Sequence, residues 1–397
     1  MLTIGEIYCT QAQGQTRLCA DLSLNGKGTT LWFGVEDAQA QYLCFQRSDA
    51  FVMALLPTAM RKGYDIVFQT PMSERLYYQL TQYLIPTVCD AGDLYHPVKL
   101  TGPLTAERLS NLGGIGTGFS AGVDCLYTVM THGKDSPYPL THLAVFNVGA
   151  FDGSEYRKFF QNACADAAEY AKEQSLELVC LDSNVYEVLP EDFLEVCSYR
   201  NLAGALALQG LFRCYLLSSG ISFDKFHFTL RNGASYDLLM VHCAQTETLA
   251  FYSSGGQTPR HKKLKALSDW APAHRWLHPC FRNRLSRGNC GKCKKCIHTM
   301  TELYAYGVLD RFHKVFDVDE FHASLSQNLG YLLTIEDQST YQNALRLLEE
   351  NNIPIPSEAY EEAEKLRKQR RGALRTQTEQ TDTLRALAQK LRKQTRT

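Results

Sequence analysis

The sequence predicts an α/β fold: a doubly wound parallel sheet, with a small N-terminal α+β domain before it and a helical C-terminus after it. Three observations carry this prediction. Between residues 110 and 260, apolar runs of strand length alternate with helical patterns, which is how a parallel sheet covered by helices on both faces reads. Residues 1–98 show strands of alternating polarity and two helical segments. From residue 301 the periodicity is helical.

In chain order, IYCTQ, TRLCADLSL and TTLWFGV alternate apolar and polar residues around the turn signal LNGKG and read as strands. DAFVMALLPTAMRKG reads as a helix with Asp49 as N-cap and Gly63 as stop. SERLYYQLTQYL reads as a second helix, capped by Ser73 and ended before Pro86, with the short strand DIVFQT between the two. Further on, GIGTGFS leads through a turn into a helix from about Val123 to His132. LAVFNVGAF and LELVCLDS read as strands flanking the amphipathic helix EYRKFFQNACADAAEYAKEQ. NLAGALALQGLFRCYLLSSG reads as a buried helix rich in small residues, and DLLMVHC as a further strand. The expected domains are therefore 1–98, 110–305, a helical extension at 306–355 and a charged helical tail at 356–397.

At 397 residues the chain is long enough for two or three domains. A net charge of -1 gives no whole-chain case for nucleic acid or an anionic membrane. No apolar run has the length of a membrane span, and the start lacks the basic and apolar regions of a signal peptide. Of the 14 cysteines, those outside residues 280–296 lie singly among apolar runs. They read as buried thiols of a cytoplasmic protein.

GGIGTGFSAGVDC, residues 113–125, carries the functional argument. An apolar strand runs into Ser120-Ala121-Gly122-Val123-Asp124-Cys125, and a helix follows at once. Small residues let the backbone turn sharply and approach a phosphate, while the N–H groups of the helix start point at the anion. Ser120 can donate to a phosphate oxygen, and Asp124 suits Mg²⁺, directly or through water. Neither a dinucleotide fingerprint nor a Walker A loop is present, because Gly114, Gly116 and Gly118 lie inside the strand and no Gly-Lys-Ser/Thr follows.

Ser120–Cys125 resembles the SGGxDS loop of the N-type ATP pyrophosphatases, the PP-loop enzymes, with Ala121 in place of a glycine and Cys125 in place of the last serine. The resemblance implies an adenine nucleotide alpha hydrolase-like domain that cleaves ATP to AMP and pyrophosphate with Mg²⁺. It also implies a carboxylate-type substrate that is adenylated and then attacked by a nitrogen nucleophile. In this family the second strand lines the adenine, which makes Phe146, Asn147 and Val148 the adenine-side candidates beside Ser120, Ala121, Gly122, Val123, Asp124 and Cys125.

Cys280, Cys290, Cys293 and Cys296 form the most specific pattern in the chain. Two x2 spacings let four thiolates close a tetrahedral zinc site. Gly291 permits the knuckle's turn, and Lys292, Lys294 and Lys295 offset the dianionic charge. An iron–sulfur cluster is the rival, weakened by the upstream position of the fourth cysteine and the absence of a Cys-Pro. With four protein ligands the metal is expected to be structural. The loop and the cluster together resemble the 7-cyano-7-deazaguanine synthase group over about residues 110–305, which implies a 7-deazaguanine acid as one possible small-molecule carboxylate substrate.

Before the cysteines, Ser253-Ser254-Gly255-Gly256 reads as a second anion-facing turn, followed by Arg260, Lys262 and Lys263 at a helix start. Arg260 is the expected stabiliser of leaving-group charge and, with Asp124, the expected catalytic residue. Asp182, Ser183, Arg200 and Asn201 are further candidates for the substrate side. Residues 361–397 hold eleven Lys and Arg against five Asp and Glu, and read either as a solvated helix or as an arm for a protein or RNA acceptor. A homodimer is compatible with the sequence. Two rival functions stay open: a non-catalytic nucleotide-binding adaptor or sensor with a degenerate loop, and a tRNA-modifying PP-loop enzyme.

Overall fold

A computed structural model describes residues 1–24, 26–151, 153–280, 288–335 and 341–371. The chain divides into two compact units, Met1–His278 and one that holds Cys280 and the residues from Gly288 onward.

The first unit opens with a meander of β1 (Leu2–Ala12), β2 (Gln15–Leu24) and β3 (Lys27–Glu36). The β1–β2 turn is two residues long, between paired Ala12 and Gln15. Gln13 and Gly14 both take positive φ, 57° and 75°, the conformation that matches the right-handed twist of a hairpin. Helix α1 (Asp49–Lys62) is buried over most of its length and stops at Gly63, whose φ is 63°. β4 (Ile66–Phe68) and β5 (Met72–Ser73) precede α2 (Glu74–Gln79) and α3 (Ile85–Asp90), joined by a π-helical turn at Leu80–Leu84. β6 (Leu100–Thr101) and β7 (Leu104–Thr105) are two-residue strands.

The parallel part of the sheet follows. β8 (Gly114–Gly118), α4 (Val123–Thr131), β9 (His142–Phe146), α5 (Tyr156–Gln174) and β10 (Glu177–Ser183) alternate as expected. After a short α6 (Val185–Val188) come α7 (Phe193–Ala207), β11 (Phe212–Ser218), α8 (Asp237–Cys243), β12 (Ala250–Ser254), α9 (Arg260–Leu267) and α10 (Ala273–Trp276). The strand order is β12-β11-β8-β9-β10-β3-β2-β1-β4-β6 in one sheet. Only the meander and its join to β10 are antiparallel. At that join Asp182 pairs with Gly34 and Ser183 with Phe33, so the sheet runs across the sequence boundary expected near residue 98.

Glycines in β8 make room for aromatic rings. A Cβ at Gly116 would sit 2.3 Å from the ring of Phe212, and one at Gly118 would meet the Tyr215 hydroxyl at 3.2 Å.

Four local expectations are corrected. DLLMVHC is helix α8, because the preceding 3-10 turn Gly233–Tyr236, closed by Asn232 accepting from Ala234 N–H, feeds directly into it. Only the first half of the expected small-residue helix is helical, since α7 ends at Ala207 and FRCYLLS is strand β11. Ser48 flanks α1 in place of Asp49, whose carboxylate instead accepts from Ser73 N–H and from Gln209, each at 2.9 Å. Pro86 lies within the helical run, near the start of the turn that follows the π segment, where its missing N–H is tolerated. Ser73 caps α2 as expected, accepting from Leu76 N–H.

The second unit is helical, with α11 (Lys294–Ala305), α12 (Val318–Ala323), α13 (Leu325–Leu333) and α14 (Gln342–Glu350). Its core gathers Leu329, Leu332, Ala344, Leu348, Ala359 and Ala363. Residues 357–371 are helical, while the remainder of the basic tail lies outside the described residues. No helix among the described residues is long and apolar enough to cross a membrane.

Candidate functional sites

The chain fills the sheet outward from β8 in two directions, first to β9 and β10 and then back to β11 and β12. The reversal lies between β8 and β11, and the carboxyl ends of strands at such a point are where doubly wound sheets bind ligands. Ser120–Cys125 leaves β8 at that end. Phe119 N–H still holds the strand ladder by donating to Ala144 O at 2.8 Å. Ala121 then turns the chain with a φ of 54°, a left-handed conformation that costs a residue with a Cβ roughly 1–2 kcal/mol. Gly122 follows as the N-cap of α4 in extended conformation, and its N–H lies 3.4 Å from Ser120 Oγ. The first N–H groups of α4 have no acceptor within the helix.

Asp124 and Cys125 take opposite directions from this turn. Cys125 is buried, and burial pushes its thiol up to about 11. Asp124 is partly exposed and accepts a hydrogen bond from Lys263 Nζ at 2.8 Å. Lys263 is 1% exposed and also donates to Ser219 O at 2.6 Å. Asp237, at the start of α8, lies near enough to feel the charges of Lys263 and Asp124. Burial raises its pKa above the ordinary carboxylate value, and Lys263 opposes that rise. The cluster thus joins the ends of three neighbouring strands, since Ser219 N–H also donates to Ser254 O at 2.9 Å.

The turn after β12 serves the lysine. Gly255 has a φ of 79°, and a Cβ there would lie 3.2 Å from Lys263 Nζ. Arg260 is the first residue of α9, on the same face as Lys263 by i,i+3 spacing. Lys263 was legible only as one of several basic residues at a helix start. Ser219 and Asp237 were missed, Asp237 because its segment reads as a strand.

The proposed adenine-side residues point inward. The Phe146 ring stacks on Tyr215 with centroids 5.7 Å apart, and a Cβ on Gly204 would touch it at 2.9 Å. Val148 is 1% exposed. Asn147 is engaged by both backbone and side chain: its N–H donates to Leu181 O at 2.8 Å, its carbonyl accepts from Ser183 Oγ, and its amide donates to Asp182. Asp182 also accepts from Arg157 at 2.9 Å. Arg200 is internal to α7, donating to Leu189 O at 3.0 Å and pairing with buried Glu191. It therefore anchors the α6–α7 connection, and burial lowers its pKa.

In the second unit, the sulfurs of Cys280, Cys290, Cys293 and Cys296 all lie within 4.8 Å of one another. Cys293 and Cys296 are 3.4 Å apart, and Cys290 and Cys296 are 3.9 Å apart. A tetrahedron with metal–sulfur bonds of about 2.3 Å has edges of roughly 3.8 Å, so the cluster can hold a metal ion such as zinc. Cys293 N–H donates to Cys290 Sγ at 3.3 Å, and Gly291 turns the chain with a φ of 67°. Asn289 braces the group by accepting from Cys280 N–H and donating to Val315 O. Burial pushes the Cys293 and Cys296 thiols up, so a cation is what makes thiolates stable there. None of the cysteines is disulfide-bonded.

No family model, no curated protein and no solved structure matches the chain.

Proposed function

We propose that the chain is an ATP-dependent ligase of the PP-loop type that adenylates a small carboxylate, releases AMP and pyrophosphate, and passes the acyl group to a nitrogen nucleophile. The observation that supports this most is the placement of Ser120–Asp124 at the switch point of the sheet, with buried Lys263 against Asp124. In this reading Ser120, Gly122 and the first N–H groups of α4 receive phosphate oxygens. Lys263 and Arg260 face the charge that develops on the leaving pyrophosphate. Asp124 would hold Mg²⁺, which supplies further charge neutralisation when bound. The acid enters from the same edge of the sheet, and a 7-deazaguanine acid is one such substrate. The four cysteines are assigned to a structural zinc.

The deciding experiment measures AMP and pyrophosphate release from ATP and Mg²⁺ across carboxylates that include 7-carboxy-7-deazaguanine. Acid-dependent AMP is the expected result, and release of ADP in its place would overturn the reading. A second reading, a nucleotide-binding adaptor, is favoured by the strained Ala121 and the inward-turned Cys125. ATP binding without any hydrolysis would select it.

A further inference from the structure

Lys263 is unusual for a lysine in being almost wholly enclosed, with a side-chain exposure of 1%. An enclosed ammonium needs a counter-charge and hydrogen-bond acceptors. Here it has one carboxylate oxygen, Asp124 Oδ1 at 2.8 Å, and one carbonyl, Ser219 O at 2.6 Å. Asp124 itself is 27% exposed. Its other oxygen lies on the side of Gly220, where a Cβ would be 3.7 Å away. The lysine also depends on Gly255 for its path, as the 3.2 Å approach to a Cβ there requires. The ammonium is held by Asp124 from α4 and lies 5.8 Å from the Tyr127 ring, while Asp237 from α8 feels its charge.

A divalent cation bound at Asp124 would share the single negative charge that Lys263 already neutralises. With a metal–oxygen bond of about 2.1 Å to either oxygen, the cation would stand close to the enclosed ammonium, and two like charges on one carboxylate repel. The two occupants disfavour each other unless an anion draws the ammonium aside. We propose that Lys263 is an exchangeable counter-ion. It neutralises Asp124 in the free protein and keeps bare divalent metal off it, then moves its hydrogen bond to a phosphate oxygen, which opens Asp124 to the metal that arrives with that phosphate. The inference rests on the nucleotide reading above only for the identity of the phosphate, since the exchange is read with metal alone.

The experiment measures Mn²⁺ binding by electron paramagnetic resonance without nucleotide, in the full chain and in Lys263→Met, with folding checked by circular dichroism. The expected result is at least tenfold tighter Mn²⁺ binding in Lys263→Met, lost again in Lys263→Met/Asp124→Asn. Equal Mn²⁺ affinity in the parent and in Lys263→Met would overturn the proposal. Should Lys263→Met not fold, Asp124→Asn carries the test, by calorimetric binding of pyrophosphate in the presence of a chelator. The released lysine is expected to bind pyrophosphate more tightly than in the parent, and equal or weaker binding would overturn the exchange. Absence of AMP release from ATP would remove the ligase reading and leave these metal results standing.

Discussion

The N–H of His278 donates to the carbonyl oxygen of Ala121 at 2.8 Å. The one non-glycine residue of the loop held in left-handed conformation is thereby pinned from a segment more than one hundred and fifty residues later in the chain. The bond fixes the peptide plane that presents Gly122 and the start of α4.

Ala121→Gly is the direct test of strain in that turn. Glycine removes the Cβ penalty at a φ of 54° but adds freedom to the unfolded chain, which leaves a net gain of about 0.5 kcal/mol. Urea unfolding should show the rise, and no rise or a loss would mean that the turn holds alanine without strain.

Gly116→Ala tests the seat of β8. The added methyl would lie 2.3 Å from the Phe212 ring, which is itself fully buried. Overpacking of this kind costs roughly 1–3 kcal/mol, so the melting temperature should fall. A parallel Gly133→Ala, whose nearest contact is 3.8 Å away, should leave it nearly unchanged.

Asp49 makes stability depend on pH. It is fully buried, and burial raises its carboxyl from 3.8 to about 6. A raised folded pKa means that the neutral form is favoured in the fold. Its contribution is complete below about pH 4 and is lost as pH rises through about 6, by on the order of 2–3 kcal/mol. Wild-type stability relative to Asp49→Asn should therefore fall between pH 4 and pH 7. A difference that stays flat across that window would show Asp49 ionised in the fold at low pH.

Metal analysis decides the cysteine cluster. One equivalent of zinc per chain is expected, falling to a small fraction in Cys293→Ser. Chelation should destabilise the helical second unit, because binding free energy at such sites is folding free energy. Iron with visible absorbance would replace zinc by a cluster.

Much of the first unit was legible in the sequence because its signals are local. Strict alternation marked β1 to β3, and the Gly-rich run before Ser120 marked the strand, turn and helix that β8 and α4 realise. The cysteine spacing alone implied the cluster that the sulfurs form. The misses share a cause, which is that apolar runs of similar length serve as helix or strand according to what they face. FRCYLLS is a strand because β8 and β12 flank it, and DLLMVHC is a helix because the turn before it feeds one. Burial was equally invisible. Lys263 and Arg260 look alike as basic residues at a helix start, and only the fold encloses Lys263 beside Asp124. The inward direction of Phe146 depends on Gly204 and Tyr215, neither of them near it in the chain.

The pairing of β3 with β10 also has a cost in time. β3 is complete by Glu36, yet its partner ends only at Ser183. A ribosome adds about 5–20 residues each second. Phe33 and Gly34, the two positions of β3 that β10 pairs, therefore wait on the order of ten seconds for their neighbour. Open edges recruit foreign strands, so these two positions stay open to mispairing while the chain is being made, and slower translation lengthens that interval.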